Sequence, residues 1–261
     1  ANAILDLYDL TGEQQYYDYV MGIARTFLNI QRPDGGFPIK VDFYTGVPVN
    51  DVCAMLHPYL IFARRLVRQY GHTEFLESMA RAEAWMKENA LKTFNMTGQF
   101  EDVSVMNLPM YNNLTNCTAA PYATYLLGKD EIDAEDMRNA MDLIRFSEDQ
   151  FVFWDWPYDE EGIKGIATPG VFEQYHYKTC VDNSACNVGN AFLDAYEVTG
   201  DRLMFAKAKA LTDNIVNMQD MTTGKIPTTW DMRFASRGHA YWINCTLASV
   251  RMLLRVDEMT R

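Results

Sequence analysis

The chain has 261 residues, of which 48% are hydrophobic and 22% charged, and it carries a formal net charge of −12. That composition is ordinary for a globular protein, and the length allows a substantial buried core. The acidic balance argues against a nucleic-acid backbone or an anionic membrane surface as partner, and no apolar run approaches the ~18 residues of a membrane span.

The chain opens without Met in a helical pattern, "ANAILDLYDL", with no leading cap, and reads as the later part of a longer protein. A first helix is predicted to run to Gly12, and a second to start at Glu13 and end before the loop "GGFP" at 35–38. Strand-like alternation is confined to short pieces such as "FPIKVDF". The next helix carries His57 and Pro58 and ends at Gly71. Its partner starts near Glu74, buries Phe75, Met79, Ala82 and Met86 at helical spacing, and ends before "GQFE" at 98–101. A third hairpin turns at Gly128, restarts at Asp133 and finishes in "FSEDQFVFWDWPY", residues 146–158. A fourth turns at Gly200, restarts at Asp201 and ends before "GKIP" at 224–227; a last helix spans about Gly238 to Val256.

These pieces repeat. "NAILDLYDLTGEQQYYDYV" from Asn2 returns as "NAFLDAYEVTGDRLMFAKA" from Asn190, an offset of 188 residues, with weaker echoes around Gly71 and Gly128. Each echo reads as a helix closed by a glycine, which adopts the left-handed C-cap conformation without penalty. A second helix follows within a few residues, with Glu13, Glu74, Asp133 or Asp201 near its positive N-terminus. Glycines 59, 57 and 72 residues apart define helical hairpins of about 60 residues, hence a helical array or toroid of about nine helices. The fold class is all-α.

In such an array the loops that follow the second helices emerge at one end. That end would collect Asp34, Phe37, Phe100, Glu101, Asp102, Trp154, Asp155, Trp156, Trp230 and Asp231. Cys53, Cys117, Cys180, Cys186 and Cys245 form no CxxC pair and leave at least one thiol over, so they read neither as a zinc site nor as a disulfide framework. Asn95, Asn113, Asn116 and Asn244 each begin an Asn-x-Thr triplet, which matters only in a eukaryotic secretory pathway.

The segments "FSEDQFVFWDW", "TPGVFEQYHYKTCVDNSACNVGNAFLDAYEVTGDRLMFAKAKAL" and "MQDMTTGKIPTTW" resemble the later hairpins of six-hairpin glycosidase-like proteins, the (α/α)6 toroids of bacterial glycan-degrading pathways. The resemblance implies a single α/α-toroid domain over residues 1–261, short of the twelve helices of a closed toroid and incomplete at its N-terminus. It implies a carbohydrate substrate and no cofactor. The same fold also hosts lyases and epimerases.

Glycoside hydrolysis needs two carboxyl groups flanking the scissile bond, and aromatic rings offer a platform for the apolar face of a sugar. In the resemblance, Asp149 of "EDQFVFW" matches a catalytic Asp near a helix end in hydrolases of unsaturated uronic acids. Glu148 and Asp149 diverge by ~100° around a helix, so one of the two at most points into a pocket. The plainer reading is that they are solvated or paired with Arg145, and that Phe151, Phe153 and Trp154 are packing. Glu173 lies in a loop between aromatics, where a carboxyl can take a raised pKa, and Asp149 and Glu173 are the leading carboxyl pair. Asp182 is either a fourth carboxyl of the site or an N-cap of the helix that follows. Trp154, Trp156, Tyr175, His176, Trp230, Arg233, His239 and Trp242 are the expected substrate contacts.

An epimerase would use His176 and His239 as proton carriers, and a lyase would hold a uronate with Arg233 and Arg237. A glycan-binding protein would keep the rings and tolerate loss of the acids. His57 reads as a satisfied core residue and His72 as solvent-exposed. No nucleophile elbow, phosphate-cradling glycine loop or metal-ligand spacing is present in the sequence.

Overall fold

The computed structural model describes residues 1–49, 53–96, 116–155, 167–173, 179–231 and 236–261. Phe100, Glu101, Asp102, Trp156, Tyr175, His176 and Arg233 lie outside the described residues. Two compact units divide the chain, Ala1–Met110 and Tyr111–Arg261.

The first unit holds α1 (Asn2–Thr11), α2 (Gln14–Ile30), α3 (His57–Tyr70), α4 (Leu76–Glu88) and the four-residue α5 (Ala90–Thr93), with a 3-10 turn at Thr73–Phe75. The second holds α6 (Asn116–Leu127), α7 (Ala134–Phe151), α8 (Asp182–Thr199), α9 (Arg202–Met218) and α10 (Ile243–Thr260). Its strands are short: β1 (Val152–Phe153), β2 (Gly170–Val171), β3 (Cys180–Val181), β4 (Thr229–Asp231) and β5 (Ser236–Arg237). The "FPIKVDF" segment contributes only isolated bridges, Pro38 to Cys53 and Val41 to Pro48.

The turn glycines act as the repeat requires. Gly12, Gly71 and Gly200 close α1, α3 and α8 with φ of 70°, 76° and 72°, while Gly128 closes α6 by donating its amide to the Thr124 carbonyl. The acids that follow divide by length. Asp133 and Asp201 accept from the Asp136 and Leu203 amides and are true N-caps of α7 and α9. Glu13 stands at the N-cap of α2 without a side-chain cap bond, because its longer side chain does not fold back as Asp does. Asp133→Ala and Asp201→Ala should each cost about 1 kcal/mol in urea denaturation, and Glu13→Ala much less.

Register is repeated as well as secondary structure. Asp6, Arg65 and Asp194 each stand six residues before their turn glycine, and Arg255 holds the matching place in α10. Arg65 of α3 reaches across to the Asn2 carbonyl, Asp6 and Asp9 of α1. Arg255 of α10 reaches Asn190, Asp194 and Glu197 of α8. Asn190, Asp194 and Glu197 are the 188-residue counterparts of Asn2, Asp6 and Asp9. One ionic clamp thus joins successive first helices twice.

In the second unit α8 packs between α6 and α10, with α7 against α6 and α9 against α8. The three helices α6, α8 and α10 form a parallel row. Asp182 and Ser249, both in the first half of their helices, are bonded, as are Asp194 and Arg255 in the second half, and Thr124 in the second half of α6 also bonds Asp194. The N-termini of this row and the C-termini of α7 and α9 therefore share one end, the end that carries the strands. There β1 pairs with β2, and β3, β4 and β5 form an antiparallel sheet.

The first unit closes around an aromatic cluster. Phe37, expected at the loop end, is instead core: it is buried and packs on Phe27 and Tyr59 with centroids 5.6 and 4.5 Å apart. Burying a Phe side chain contributes roughly 1.5–3 kcal/mol, so a loop that can fold its ring inward does so.

Candidate functional site

The strand-bearing end of the second unit brings together much of what the sequence singles out. Strand β1 follows directly from α7, and its pairing with β2 places Val152 opposite Val171 and Phe153 opposite Gly170. The Phe172 amide donates to the Phe151 carbonyl at 2.9 Å. These bonds lay the segment carrying Glu148 and Asp149 beside the one carrying Glu173.

Glu148 does not pair with Arg145, which instead bonds Asp142 at 3.0 Å. It accepts from Lys207 of α9 at 2.6 Å and from the Trp154 indole at 3.1 Å. These contacts tie α7 to α9 and fix the Trp154 ring, which remains 38% exposed. Asp149 is exposed on α7. One of the two acids is thus engaged and the other faces water, as their ~100° divergence requires.

Asp182 is a strongly altered acid of this end. It is not an N-cap: Val181 holds that position without a side-chain cap bond, and Asp182 is the first residue of α8. Its amide donates to the Thr228 carbonyl at 3.0 Å. Its carboxyl accepts from the Asn183 amide at 2.7 Å and from the Ser249 hydroxyl at 3.1 Å, and the Cys245 thiol also donates to it. The residue has 0% exposure. Burial pushes its pKa from 3.8 up to about 6, against the opposing pull of those donors and of its own backbone amide. Such a carboxyl is part-protonated near neutrality and can act as an acid.

Cys186 and Cys245 stand beside it, with their thiols pushed up to about 12 chiefly by burial. Both are therefore neutral hydrogen-bonding groups, not nucleophiles. The charge of Glu173 contributes to the shift at Cys245, as does that of Asp182, so one thiol lies within electrostatic reach of both carboxyls. Glu173 itself is half-buried on the bend that follows β2.

Other expected contacts fall elsewhere. Trp230 is 2% exposed and its indole donates to the Ala167 carbonyl at 3.2 Å. It is a packing residue of β4, with no open ring face for a sugar. Arg237 donates to the carbonyls of Met218 and Gln219 at 2.6 and 3.1 Å and so satisfies the C-terminus of α9 instead of awaiting a carboxylate. His239 is exposed, and Trp242 is 53% exposed at the start of α10.

In the first unit, His57 is not satisfied: its buried Nδ1 has no hydrogen-bond partner among the described residues, and burial lowers its pKa to about 4. His72 is half-buried between the Tyr17 hydroxyl and Glu74. Among the described residues no group of three or more His, Cys, Asp or Glu could hold a metal ion, and no helix is long and apolar enough to cross a membrane.

Ser249, Cys186, Cys245 and Lys207 were not legible as site residues. Asp182 with Cys186 and Cys245 with Ser249 do have i,i+4 spacing, which puts each pair on one helix face. Nothing in the sequence says that those two faces meet.

No family model matches the sequence, and no curated protein matches it. Solved structures do. A D-mannose isomerase superposes with a TM-score of 0.55 at 12% identity, over 93% of this chain and 64% of its own. A glycoside hydrolase of family 105 from C. acetobutylicum ATCC 824 superposes with a TM-score of 0.57 at 13% identity, over 99% of this chain and 69% of its own. The chain thus spans about two thirds of the length of each. It has the all-α, six-hairpin glycosidase-like fold of the α/α-toroid class.

Proposed function

We propose that this protein is a carbohydrate-active enzyme, and more narrowly a glycoside hydrolase that cleaves an oligo- or polysaccharide with a pair of carboxyl groups at the strand-bearing end of the second unit. The observation that carries this reading is Asp182, a buried carboxyl whose pKa rises to about 6, with Glu173 acting on the same Cys245 thiol. A glycosidase needs one carboxyl held protonated and a second kept ionised. Burial favours the proton on Asp182, and Glu173 is the second carboxyl of this reading. Asp149, exposed on α7, is the alternative second carboxyl. The exposed faces of Trp154 and Trp242 are the platform this reading assigns to sugar rings.

Reducing-sugar release from a panel of glycans by the full-length protein tests it. Glu173→Gln and Asp182→Asn should each lower release by about 10²–10⁴-fold, and Glu148→Gln by far less. Unchanged release in both carboxyl variants would discard the pair. Loss in Asp149→Asn instead would move the second carboxyl to α7.

The likeness to a D-mannose isomerase favours a second reading, sugar isomerisation or epimerisation. That chemistry moves a proton at carbon and calls for a neutral base. His176 and the exposed His239 are the histidines this reading would test, by interconversion of free aldoses and ketoses without release of new reducing ends.

A further inference from the structure

The segment "FPIKVDFYTGVPV", residues 37–49, forms a hairpin of the first unit. At its base Phe37 is buried, and the Phe37 carbonyl accepts from the Ala54 amide at 2.9 Å. Farther out Val41 bridges Pro48, the Asp42 amide donates to the Val47 carbonyl at 2.8 Å, and the Val49 amide donates to the Lys40 carbonyl at 3.0 Å. Asp42 closes the tip, residues 43–46. Its Oδ1 accepts from the Tyr44 amide, the Thr45 amide and the Thr45 hydroxyl at 3.0, 2.8 and 2.8 Å. Its carbonyl accepts from the Gly46 amide at 2.9 Å, and Gly46 supplies the left-handed φ of 68° that turns the chain back. An aspartate bonded to its own turn in this way fixes the turn before any ligand arrives.

What the turn fixes is a pair of rings. Phe43 and Tyr44 are 90 and 91% exposed, and their rings stand 5.2 Å apart at 87°. Val47 and Val49, on the returning strand, are also exposed. Phe37, earlier in the same segment, folds into the core. Phe43 and Tyr44 are instead held in water by a hydrogen-bonded turn. Apolar surface presented in this way marks a contact site, and a preformed turn spares a ligand the cost of ordering it.

Two features choose the ligand. Two aromatic side chains offer about 300–500 Å², well below the roughly 800 Å² per partner of a stable protein interface, so the tip suits a ring-sized ligand better than a second protein. Asp42 also keeps its Oδ2 without a partner among the described residues. The bonds from Thr45 and Tyr44 hold its carboxyl below the usual carboxylate range, so it stays ionised. An open aromatic face takes the C–H face of a pyranose, and an ionised carboxylate oxygen accepts from sugar hydroxyls. We propose that the Asp42–Gly46 turn is a glycan-binding point of the first unit, with Phe43 and Tyr44 as stacking rings and Asp42 as hydroxyl acceptor. It rests on the carbohydrate part of the reading above, and not on which residues cleave.

The test is affinity electrophoresis of the full-length protein in gels cast with soluble starch, xylan, galactan or polygalacturonate. The parent should be retarded in at least one gel, and Phe43→Ala/Tyr44→Ala should raise the apparent Kd there by about tenfold or more. The control Tyr19→Ala, which removes an exposed tyrosine of α2, should migrate as the parent does. Both hairpin rings are exposed, so the double variant should melt within about 1 °C of the parent; if it does not, Phe43→Ala alone is read on the same scale. A parent unretarded in every gel overturns the inference, and so does retardation that survives the loss of both rings. An equal loss in Tyr19→Ala overturns it as general adhesion of surface rings. A parent dimer that the double variant dissociates in sedimentation velocity overturns it as well, because a second copy then covers the tip. Failure of the cleavage reading would show differently, as absent reducing-sugar release with retardation intact.

Discussion

Asp182→Asn is expected to raise stability at pH 7.5 by up to about 3 kcal/mol and to change it little at pH 4. In the folded protein the carboxyl titrates at about 6, above its ordinary 3.8. A raised acid binds its proton more tightly folded than unfolded. Its contribution is therefore complete below about 3.8 and is lost as pH rises through about 6. Above that the native state holds a carboxylate with no water around it, and a rise from 3.8 to about 6 corresponds to about 3 kcal/mol. Asparagine keeps the shape and removes the charge. Its amide can still bond the Ser249 hydroxyl, which holds the carboxylate at 3.1 Å. Urea denaturation at the two pH values measures the effect; an equal change at both would mean that the charge does not matter. A protein that becomes more stable and less active on losing this carboxyl keeps it for chemistry, not for folding.

The two arginine clamps should differ sharply in strength although they are built alike. Arg255→Ala is expected to cost roughly 2–4 kcal/mol, toward the lower part of what breaking a buried pair does because the site is not fully dry. It strands Asp194, whose side chain is 16% exposed and whose pKa burial already raises despite the nearby arginine. Arg65→Ala should cost less than about 1 kcal/mol, since Asp6 and Asp9 are 55 and 34% exposed and water replaces the lost partner. Equal losses in paired denaturation curves would show that burial is not what sets the strength of the clamp. The Arg255→Ala loss should also shrink as pH falls and Asp194 takes up a proton.

Much of the architecture was legible in the sequence. The repeated Asn-x3-Asp-x-Tyr-acid-x-Thr-Gly pattern marks helix, turn and restart, because a glycine with positive φ and a short capping acid are local requirements. Asp133 and Asp201 could be read as helix starts for the same reason. Residues whose role depends on what packs over them were not legible. Trp230 and Phe37 look alike in sequence to exposed loop aromatics, yet both fold inward. Glu148 has Arg145 within a helical turn but bonds Lys207, which is 59 residues away.

The sequence by itself determined the all-α class, the hairpin turns and the helix faces, since these follow from side-chain periodicity and backbone preferences within a few residues. Only the tertiary structure decided which acid is dehydrated and which rings are left open. Those properties depend on the water removed by distant segments. Asp182 acquires its raised pKa from the burial imposed by α10 and the neighbouring strands, which outweighs the donors they bring, and no pattern local to "TCVDNSAC" contains that information.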